Sequence, residues 1–514
     1  MDWTAGYASD IEYTAGFYRE QSPTYLNFAC ALNGYEPVSI DQSFTYCELG
    51  FGRGLTVSML AAANPQGQFY ATDFNPGHVA GARELAARAE LSNLTLLEDS
   101  FDELAAGKHP DLPQFDFITL HGIYTWVTRE NRGHIVTFIK RYLKPGGLVY
   151  LSYNAQPGWT AALPLQRLLV EFGDAFPNRS DLQVKGASEL ISRMEAAGAG
   201  YLSTNPGLSR WLDTIKTGNI NYLVHEYMHK HWEPLYHADV ARDLAEAKLD
   251  FAGSADLALT YPAIFLSKEK LAVIDTMTSA SMQETMKDYF QNTSFRKDVF
   301  VRGKRQMKPL RKVEVLQKFG IALLVPRSTV STEMKLTFGT VHGKDAIYIP
   351  IIDALATRPH TFGELQLLPA LAGVLFGDIV QAGAYLCAAG KAEVYWDDKV
   401  QQDAAPAQRM NSTVSAMARH ADELQALSSP VLGSGIIVGL IERMAFHHFT
   451  TSGADANHAD TVKAIFKMLR EQGRTMNKDG VAVTSEADNL EEIGKLVTKI
   501  FAEDLPLWRR LGML

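Results

Sequence analysis

The feature that most constrains this chain is a short glycine-rich segment. Residues 48–54 read Glu-Leu-Gly-Phe-Gly-Arg-Gly, follow directly on a strand-like apolar run and open a helix-like segment. Glycine allows the backbone to turn sharply and to approach a ligand closely, because no Cβ stands in the way. A dinucleotide site would have a third glycine three residues after Gly52, but Leu55 stands there. The segment therefore predicts a ligand-binding loop of another kind, with an acid in front of it.

Strand-like and helix-like segments alternate on both sides of this loop. Five short apolar runs predict strands: Thr45–Leu49, Gln68–Thr72, Leu94–Leu97, Phe115–Leu120 and Leu148–Tyr153. Helical periodicity is found between them at Thr56–Ala63, His78–Ala89 and Arg132–Tyr142. This alternation predicts a parallel sheet covered on both faces, with ligands bound beyond the carboxyl ends of the strands. Two later runs, Lys248–Ala255 and Asp298–Arg302, are expected to be the last strands of the same sheet.

Polar residues stand where these strands are expected to end. Asp73 ends the second strand, where a carboxylate can accept hydrogen bonds from both hydroxyls of a ribose. Asp99, followed by Ser100 and Phe101, ends the third, where it can accept from the amino group of an adenine. Either aspartate alone could instead be a helix N-cap. A Leu-Lys-Pro-Gly-Gly turn at residues 143–147 leads into the fifth strand, and together these features favour a cofactor site.

This combination resembles the class I, seven-stranded methyltransferases. The resemblance implies an α/β, Rossmann-like core with a helical insertion, and S-adenosylmethionine rather than NAD as the cofactor. It also implies that Glu48 organises the glycine loop and that Gly50 and Gly52 pass close to the methionine part. Asp73 would bind the ribose, Asp99 the adenine amino group, and Phe74 would pack on the adenine ring. The remaining cofactor contacts are expected from Tyr18, Gly54, Ser100, Phe101 and His121.

A narrower resemblance lies outside the core, in residues 13–23, 121–126, 153–159 and 221–227. These segments, with Trp232, Pro234 and Tyr236 after them, resemble a bacterial family that carries a methyltransferase regulatory domain. That family includes the rickettsial protein-lysine methyltransferases that act on outer-membrane proteins. The resemblance extends to about residue 305 and implies a protein substrate.

Four regions are expected along the chain. They are N-terminal lid helices at 1–40, the methyltransferase domain at 41–310, a middle domain at 311–400 and a helical C-terminal domain at 401–514. Within the methyltransferase domain, a helical insertion is expected at about 160–245 and the regulatory segment at about 218–305.

The middle domain has a pattern of its own. Helices are predicted at Ile351–Ala356, Thr361–Leu367 and Ile379–Ala388, and a strand at Ala392–Trp396. Helices followed by a strand hairpin suit a winged-helix-like module, and a generic packing domain is the alternative. Residues 351–400 contain three basic residues against six carboxylates, which argues against a wing that binds DNA.

Composition limits the partners and the compartment. A net charge of −9 without a basic run disfavours a nucleic-acid substrate. Three scattered cysteines, Cys30, Cys47 and Cys387, favour a reducing compartment over a disulfide framework. The first residues show no secretory signal, and no apolar stretch approaches the roughly 20 residues of a membrane span. We therefore expect a cytoplasmic protein that is not inserted in a membrane.

Candidates for the chemistry follow the fourth and fifth strands. His121 is either a general base or a structural residue, and Asn154 follows the fifth strand rather than the fourth, which disfavours a base-methylating motif. Five aromatics are expected to form a cage for an alkylammonium substrate, with packing as the alternative: Tyr13, Tyr18, Tyr124, Trp126 and Trp159. His225, Glu226, His229 and His231 are residue types that bind metals, but a packing cluster is favoured and no metal is expected.

The function expected from the sequence is methyl transfer from S-adenosylmethionine to a lysine side chain of a protein. The alternatives are a methyltransferase for a small metabolite or lipid, and a binding protein that has kept the fold without turnover. The complete set of cofactor residues argues against the second alternative.

Overall fold

A seven-stranded sheet forms the centre of the N-terminal part of the chain. The structure is a computed structural model that describes residues 15–397, 403–453, 456–478 and 480–514. The strands are β1 (Thr45–Leu49), β2 (Gln68–Asp73), β3 (Leu94–Glu98), β4 (Phe115–Leu120), β5 (Leu143–Asn154), β6 (Leu249–Ser254) and β7 (Phe295–Arg302). Their order is β3-β2-β1-β4-β5-β7-β6, with β7 antiparallel to both of its neighbours and β1 to β5 parallel. The predicted Rossmann-like sheet is confirmed, including its two late strands.

The chain reverses its direction across the sheet at β1. This strand pairs with β2 on one side and with β4 on the other, so the loops that follow β1 and β4 diverge. A crevice at such a switch point is the usual ligand site of parallel sheets. The glycine loop follows β1 and His121 follows β4, which places both at this crevice.

Local capping signals explain several helices around the sheet. The helices are α1 (Pro23–Leu32), α2 (Leu55–Ala63), α3 (Pro76–Arg88), α4 (Phe101–Ala106) and α5 (Arg129–Tyr142). The side chain of Ser22 caps α1 and that of Asn75 caps α3, each followed by a proline that suits the first helical position. Ser100 and Glu103 form a reciprocal capping box that starts α4 directly after Asp99.

The turn predicted at residues 143–147 lies inside a strand. β5 begins at Leu143, five residues before the predicted start, and pairs there with Phe115. The next pair joins Phe117 to Leu148, so the residues between form a bulge, with Gly146 at φ +83°. The strand is therefore longer than its apolar run, because the bulge absorbs the proline and glycines.

The helical insertion has a core of its own beside the sheet. Its helices are α6 (Leu163–Ala175), α7 (Ser180–Ala196), α8 (Gly200–Ser203), α9 (Ser209–Thr217), α10 (Ile220–Tyr227) and α11 (His237–Ala245), and α12 (Lys268–Asp275) and α13 (Ala280–Gln291) follow β6. Buried aliphatic side chains of α6, α7, α9 and α10 surround Trp159 in this core. The insertion reaches the sheet where Leu235 forms a bridge with Ala155.

The middle region combines helices with a small antiparallel sheet. Its elements are α14 (Pro309–Lys318), β8 (Phe319–Leu323), β9 (Glu333–Leu336), β10 (Gly339–His342), α15 (Asp345–Thr357), β11 (His360–Thr361), α16 (Phe362–Gln366), α17 (Phe376–Ala388) and β12 (Ala392–Trp396). From α15 to β12 the order is helix, strand, helix, helix, strand, as in a winged helix. However, β12 pairs with β8, which precedes these helices and is the central strand of the order β11-β8-β12.

The N-terminal segment joins the middle region to the sheet. Of the predicted lid, residues 1–14 lie outside the described residues, and α1 is the α-helix of the described part, 15–40. The ring of Phe28 on α1 stacks on that of Phe362 at 5.6 Å, and Arg19 forms an ion pair with Glu393 at 3.4 Å. One continuous hydrophobic core therefore runs from α1 and the sheet into the middle region.

The C-terminal region supports the helix that follows the glycine loop. Its elements are α18 (Ala405–Met417), β13 (Ala426–Ser429), β14 (Ser434–Ile437), α19 (Leu440–Ser452), α20 (His458–Glu471), β15 (Asn477–Lys478), β16 (Val481–Ala482), α21 (Glu486–Lys499) and α22 (Leu505–Arg510). The Ser428 hydroxyl donates to the Met59 carbonyl at 2.9 Å, and the Asn64 amide donates to the Gly433 carbonyl at 2.9 Å. Within the described ranges, no helix is both long and apolar enough to cross a bilayer.

Candidate active site

The glycine loop has the backbone geometry that its sequence predicts. Gly50, Gly52 and Gly54 have φ of +71°, +56° and +73°, in the left-handed region that favours glycine. The amides of Gly50 and Phe51 donate to the Thr72 carbonyl at 2.8 and 3.2 Å, which fixes the loop to the end of β2. A Cβ on Gly50 would collide with the Cδ1 atom of Ile123. The loop is therefore a rigid cradle between the ends of β1 and β2.

Asp73 braces this cradle from the end of β2. One carboxylate oxygen accepts from the Gly52 amide at 2.8 Å, and the other accepts from the Asn75 amide at 2.9 Å. His78 Nδ1 lies 3.3 Å from the second oxygen. A carboxylate oxygen can accept more than one hydrogen bond, so the predicted contact with a ribose needs no rearrangement of these bonds.

Glu48 presents a buried acceptor that its surroundings leave open. Gln21 Nε2 donates to Oε1 at 3.2 Å, whereas the buried Oε2 has no hydrogen-bond partner among the described residues. Burial raises the pKa of Glu48 to about 8. The Gln21 hydrogen bond lowers this pKa and the negative charge of Asp73 raises it, both by less than burial does. A buried polar atom without a partner is often found at a ligand-binding position. The α-ammonium group of the methionine part of S-adenosylmethionine is a donor of this kind.

The adenine side of the predicted site lies at the end of β3. The Asp99 carboxylate is buried, 2.7 Å from His109 Nε2 through one oxygen and 2.7 Å from Lys108 Nζ through the other. Ser100 and Phe101 start α4 directly after it, and Phe74 lies half-buried just beyond Asp73. The structure thus brings the predicted ribose and adenine residues to one edge of the sheet.

His121 and Tyr18 close the cleft opposite the glycine loop. Their rings stack with centroids 3.6 Å apart, and His121 Nδ1 lies 2.9 Å from the Tyr150 hydroxyl. The Tyr18 amide donates to Thr56 Oγ1 at 3.1 Å, which fixes the N-terminal segment over α2. Burial lowers the pKa of His121 to about 3. The negative charge of Glu20 raises this pKa and the positive charge of Lys297 lowers it, both by less than burial does. The imidazole is therefore neutral at pH 7 and a weak proton acceptor.

These elements line a narrow cleft of about 30 Å³ that is partly open to solvent. It is lined by Tyr18, Glu48, Gly50, Gly52, Thr56 and His121, among others. Glycine backbone on one wall and aromatic rings on the other suit a flat, partly charged ligand.

The predicted aromatic cage is not assembled as a unit. Tyr124 is fully buried and its hydroxyl donates to Asp243 at 3.1 Å, inside the core below α5 and α11. Trp159 is 2% exposed and packs with ring centroids 3.9 Å from Trp211 and 4.6 Å from Trp232. Trp126 is half-buried against the same core, and Tyr13 lies outside the described residues. Because their rings are covered by core side chains, Tyr124 and Trp159 have packing roles, and only Tyr18 lines the cleft.

Asn154 joins the end of β5 to the helical insertion. Its side-chain amide donates to Glu226 Oε1 on α10 at 3.3 Å, and its backbone amide donates to Thr125 Oγ1 at 3.3 Å. Burial raises the pKa of Glu226 to about 7, against the Asn154 hydrogen bond. The sequence singled out Glu226 only as a possible metal ligand, since nothing in its neighbours along the chain indicates a contact with β5.

The histidines around Glu226 do not gather as a metal site. The rings of His225 and His229 are buried with centroids 6.2 Å apart. In the part of the chain that the structure describes, no three His, Cys, Asp or Glu side chains come together in a metal-binding arrangement. Cys30, Cys47 and Cys387 are buried and free.

Comparisons with known proteins agree with this geometry. The family model for a methyltransferase domain matches residues 47–147, and the model for a predicted methyltransferase regulatory domain matches residues 219–302. The fold is similar to that of PKMT2 from Rickettsia typhi, solved in complex with AdoHcy, with a TM-score of 0.69 at 17% identity over 95% of this chain and 98% of that one. Protein RP028 of Rickettsia prowazekii is 23% identical over 225 residues, which is 43% of this chain and 86% of that protein.

The sheet order, the glycine cradle and the orphan acceptor of Glu48 define a class I methyltransferase that uses S-adenosylmethionine and carries a regulatory domain. This confirms the predicted class and cofactor. Within that class, the chain belongs to the family of protein sll1526 of Synechocystis, to which it is 36% identical over 514 residues, the full length of both proteins.

Proposed function

We propose that this protein transfers methyl groups from S-adenosylmethionine to lysine side chains of a protein substrate in the cytoplasm. The observation that carries the proposal is an exposed aromatic ring next to a residue that lines the cleft. The ring of Phe295, which is 39% exposed, has its centroid 6.1 Å from that of His121. Exposed aromatic faces attract an alkylammonium group. An exposed aromatic ring at this position suits a long cationic side chain that is presented on a protein surface.

Two further observations support a protein substrate. The sequence motifs resemble those of the rickettsial protein-lysine methyltransferases, and the fold is similar to that of PKMT2 over nearly the whole chain. The net charge of −9 favours a cationic partner over nucleic acid.

The residues of the proposed site divide into two groups. The proposed cofactor group is Tyr18, Glu48, Gly50, Gly52, Gly54, Asp73, Phe74, Asp99, Ser100, Phe101 and His121, and the proposed acceptor group is Tyr18, His121 and Asn154. Of these residues, Tyr18, Glu48, Gly50, Gly52 and His121 line the cleft. The bound cofactor supplies a methyl carbon that is activated by the adjoining sulfonium. Glu48 would hold the ammonium of the methionine part and Asp73 the ribose, while the stacked Tyr18 and His121 exclude water from the transfer point.

The protein contributes mainly orientation and a dry surface. The lysine nitrogen must lie roughly 3–3.5 Å from the methyl carbon and in line with the bond that breaks. It must also be neutral, and removing its proton at pH 7 costs about 4–5 kcal/mol in water. A neutral His121 adds no positive charge near the amine, so it does not oppose the approach of an ammonium group.

Incubation with radiolabelled S-adenosylmethionine and a whole-cell lysate of a bacterial host tests the proposal. We expect label in protein bands and methyl-lysine in their acid hydrolysates. A Gly50→Val variant is the control, because it destroys the cradle and should leave the lysate unlabelled. Label that appears only in the lipid or small-molecule fraction would contradict the proposal and favour the metabolite alternative.

A further inference from the structure

We propose that Arg19 is a positioning residue for the cofactor: by binding the middle region, it holds Tyr18 and Gln21 at the cleft and so sets how long the cofactor stays bound. Arg19 lies in the short segment of residues 16–21, here called the strap, which leads into α1. The inference concerns the cofactor alone and does not depend on the identity of the methyl acceptor. It gives the middle region a part in cofactor binding.

The strap forms one wall of the cofactor cleft. The ring of Tyr18 stacks on that of His121 with centroids 3.6 Å apart, and both residues line the cleft. Gln21 Nε2 donates to Glu48 Oε1 at 3.2 Å. Two side chains of the strap therefore touch residues that face the glycine loop or carry its buried acid.

Arg19 lies between these two residues in the chain, but its side chain reaches the middle region. The guanidinium group donates to the Cys387 carbonyl near the end of α17. It also donates to the Ala392 carbonyl and to the Glu393 carboxylate on β12, at 3.4 Å each. The donors of a guanidinium form a rigid planar fork, so three acceptors on two elements fix its position.

The carboxylate of Glu393 has no packing role that would explain it. Its side chain is 1% exposed, within a strand whose neighbouring residues Ala392 and Val394 are apolar and buried. A buried carboxylate is costly unless an opposite charge and hydrogen bonds compensate it. The Val394 amide donates to Oε1 at 3.0 Å, and Arg19 supplies the opposite charge at Oε2. The contact with the strap is therefore the role that the structure gives to Glu393.

The position of Arg19 is transmitted to its neighbours through the backbone. Glu20, the next residue, pairs with Lys297 on β7 at 2.6 Å, so the strap is also held beside the cleft from the sheet. Residues 18–21 are consecutive, and their side chains cannot be placed independently of one another. A shift of Arg19 therefore displaces Tyr18 directly beside it.

The strap is the wall that yields when the cofactor enters or leaves. The cleft volume of about 30 Å³ has room for only about two water molecules, far less than the methionine part of S-adenosylmethionine. On the opposite wall, the amides of Gly50 and Phe51 are bonded to the Thr72 carbonyl at the end of β2, which fixes the glycine loop. The anchorage of the strap should therefore govern how readily the cofactor escapes.

Surface plasmon resonance with AdoHcy on the immobilised full-length protein tests the proposal, because it gives both rate constants of binding. In Arg19→Gln, the dissociation rate constant should rise by about tenfold, whereas the association rate constant should not fall, since the glycine loop is unchanged. Arg19→Lys keeps the charge but not the planar fork, so it should restore part of the loss.

A matched control removes another ion pair between the same two regions. Arg311 on α14 lies 3.1 Å from Glu36 in the N-terminal segment, and neither residue lines the cleft. Arg311→Gln should match the wild type in both rate constants. Glu393→Gln breaks the pair of Arg19 from the side of the middle region and should speed dissociation as Arg19→Gln does.

A second measurement separates positioning from folding. If Arg19 acts through Tyr18 and Gln21, then Arg19→Gln should add little to the dissociation rate of a Tyr18→Ala/Gln21→Ala variant, because the groups that it positions are already missing. A purely structural role would multiply the two effects. Thermal unfolding of each variant shows whether the protein is folded at the temperature of the binding measurement.

Three results would overturn the proposal. The first is a wild-type dissociation rate in both Arg19→Gln and Glu393→Gln. The second is a full tenfold effect of Arg19→Gln in the Tyr18→Ala/Gln21→Ala background, which would show that Arg19 acts through the fold. The third is a lower association rate with unchanged dissociation, which would show damage to the glycine loop instead of a loosened strap.

Discussion

The two sides of the cleft satisfy their charged groups in different ways. On the cofactor side, Asp73 is tied to the Gly52 and Asn75 amides, and Asp99 is held by His109 and Lys108. On the acceptor side, the described partner of the Glu226 carboxylate is the neutral amide of Asn154. On the cofactor side, Glu48 Oε2 is buried without a hydrogen-bond partner among the described residues, whereas on the other side Glu226 accepts from the neutral amide of Asn154.

This difference suggests that cofactor binding and methyl transfer depend on separate parts of the molecule. Backbone amides and buried ion pairs fix the shape of the cradle, so a change there should remove cofactor binding outright. The insertion packs around its own tryptophan core and meets the sheet near Ala155. A change there should alter stability or acceptor chemistry and leave the cradle intact.

The largest effect is expected from Gly50→Val, which attacks the cofactor side. The backbone at Gly50 has φ +71°, and a Cβ there would collide with Ile123. AdoHcy binding should fall by more than about 100-fold, because a β-branched residue cannot adopt this conformation without strain. Gly81→Ala is the matched control, since a Cβ at Gly81 on α3 meets open space. Wild-type affinity of Gly50→Val by calorimetry would show that the loop is not the cradle.

The next largest effect is expected from Trp159→Ala, which attacks the insertion. The ring is buried among Trp211, Tyr227 and Trp232, so its loss should cost about 3–5 kcal/mol of folding stability. AdoHcy affinity at low temperature should remain within a few-fold of the wild type, because the cradle belongs to another core. Phe176→Ala, at a side chain 61% exposed, serves as the control. Unchanged thermal unfolding with impaired methyl transfer would instead make Trp159 a wall of the substrate channel.

An intermediate effect is expected from the titration of Glu48. Burial places its pKa at about 8, above that of the unfolded chain, so folding without cofactor takes up a proton. The stability that this group contributes is present below about pH 4 and is lost as the pH rises through 8. Cofactor binding instead favours the ionised carboxylate and therefore a higher pH, because the α-ammonium group of the cofactor pairs with a negative charge.

The affinity for AdoHcy should therefore rise by about tenfold between pH 6.5 and 8.5. Glu48→Gln should bind more weakly at pH 8.5 and show little dependence on pH. Calorimetry at several pH values checks both expectations, and urea unfolding at the same values checks the stability. An affinity that is flat with pH in the wild type would mean that Glu48 does not contact the ammonium group.

The smallest effect is expected where the C-terminal region touches the glycine loop. Arg53 lies 2.5 Å from Glu423, and both side chains are partly exposed. Glu423→Ala should change AdoHcy affinity by only a few-fold, since such surface pairs contribute about 1 kcal/mol or less. Arg409→Ala removes another ion pair between the two regions, with Glu90, away from the loop, and should leave the affinity unchanged. A tenfold loss in Glu423→Ala would show that the C-terminal region controls the cradle.

Sequence alone predicted the elements of the cofactor side closely. The five parallel strands, the glycine loop and the polar residues after β2 and β3 are short patterns, each contained in a few consecutive residues. Strand β8 and the hairpins of the middle and C-terminal regions were not predicted, because runs such as Phe319–Leu323 are too short to distinguish from a buried helical turn. The pairing of β12 with β8 was not predicted either, because the residues of a strand do not specify which strand it pairs with.

The sequence by itself determined that this chain folds into a class I methyltransferase core and where its cofactor loop lies. The loop follows from glycines that adopt left-handed backbone conformations, and the core follows from the alternation of strands and helices. Both patterns are visible in consecutive residues. Only the tertiary structure decided which aromatics line the cleft and which pack a core. It also brought Gln21 to Glu48 and Glu226 to Asn154, pairs that are 27 and 72 residues apart. Such contacts depend on how separate elements pack, and burial and pKa follow from that packing rather than from the order of residues along the chain.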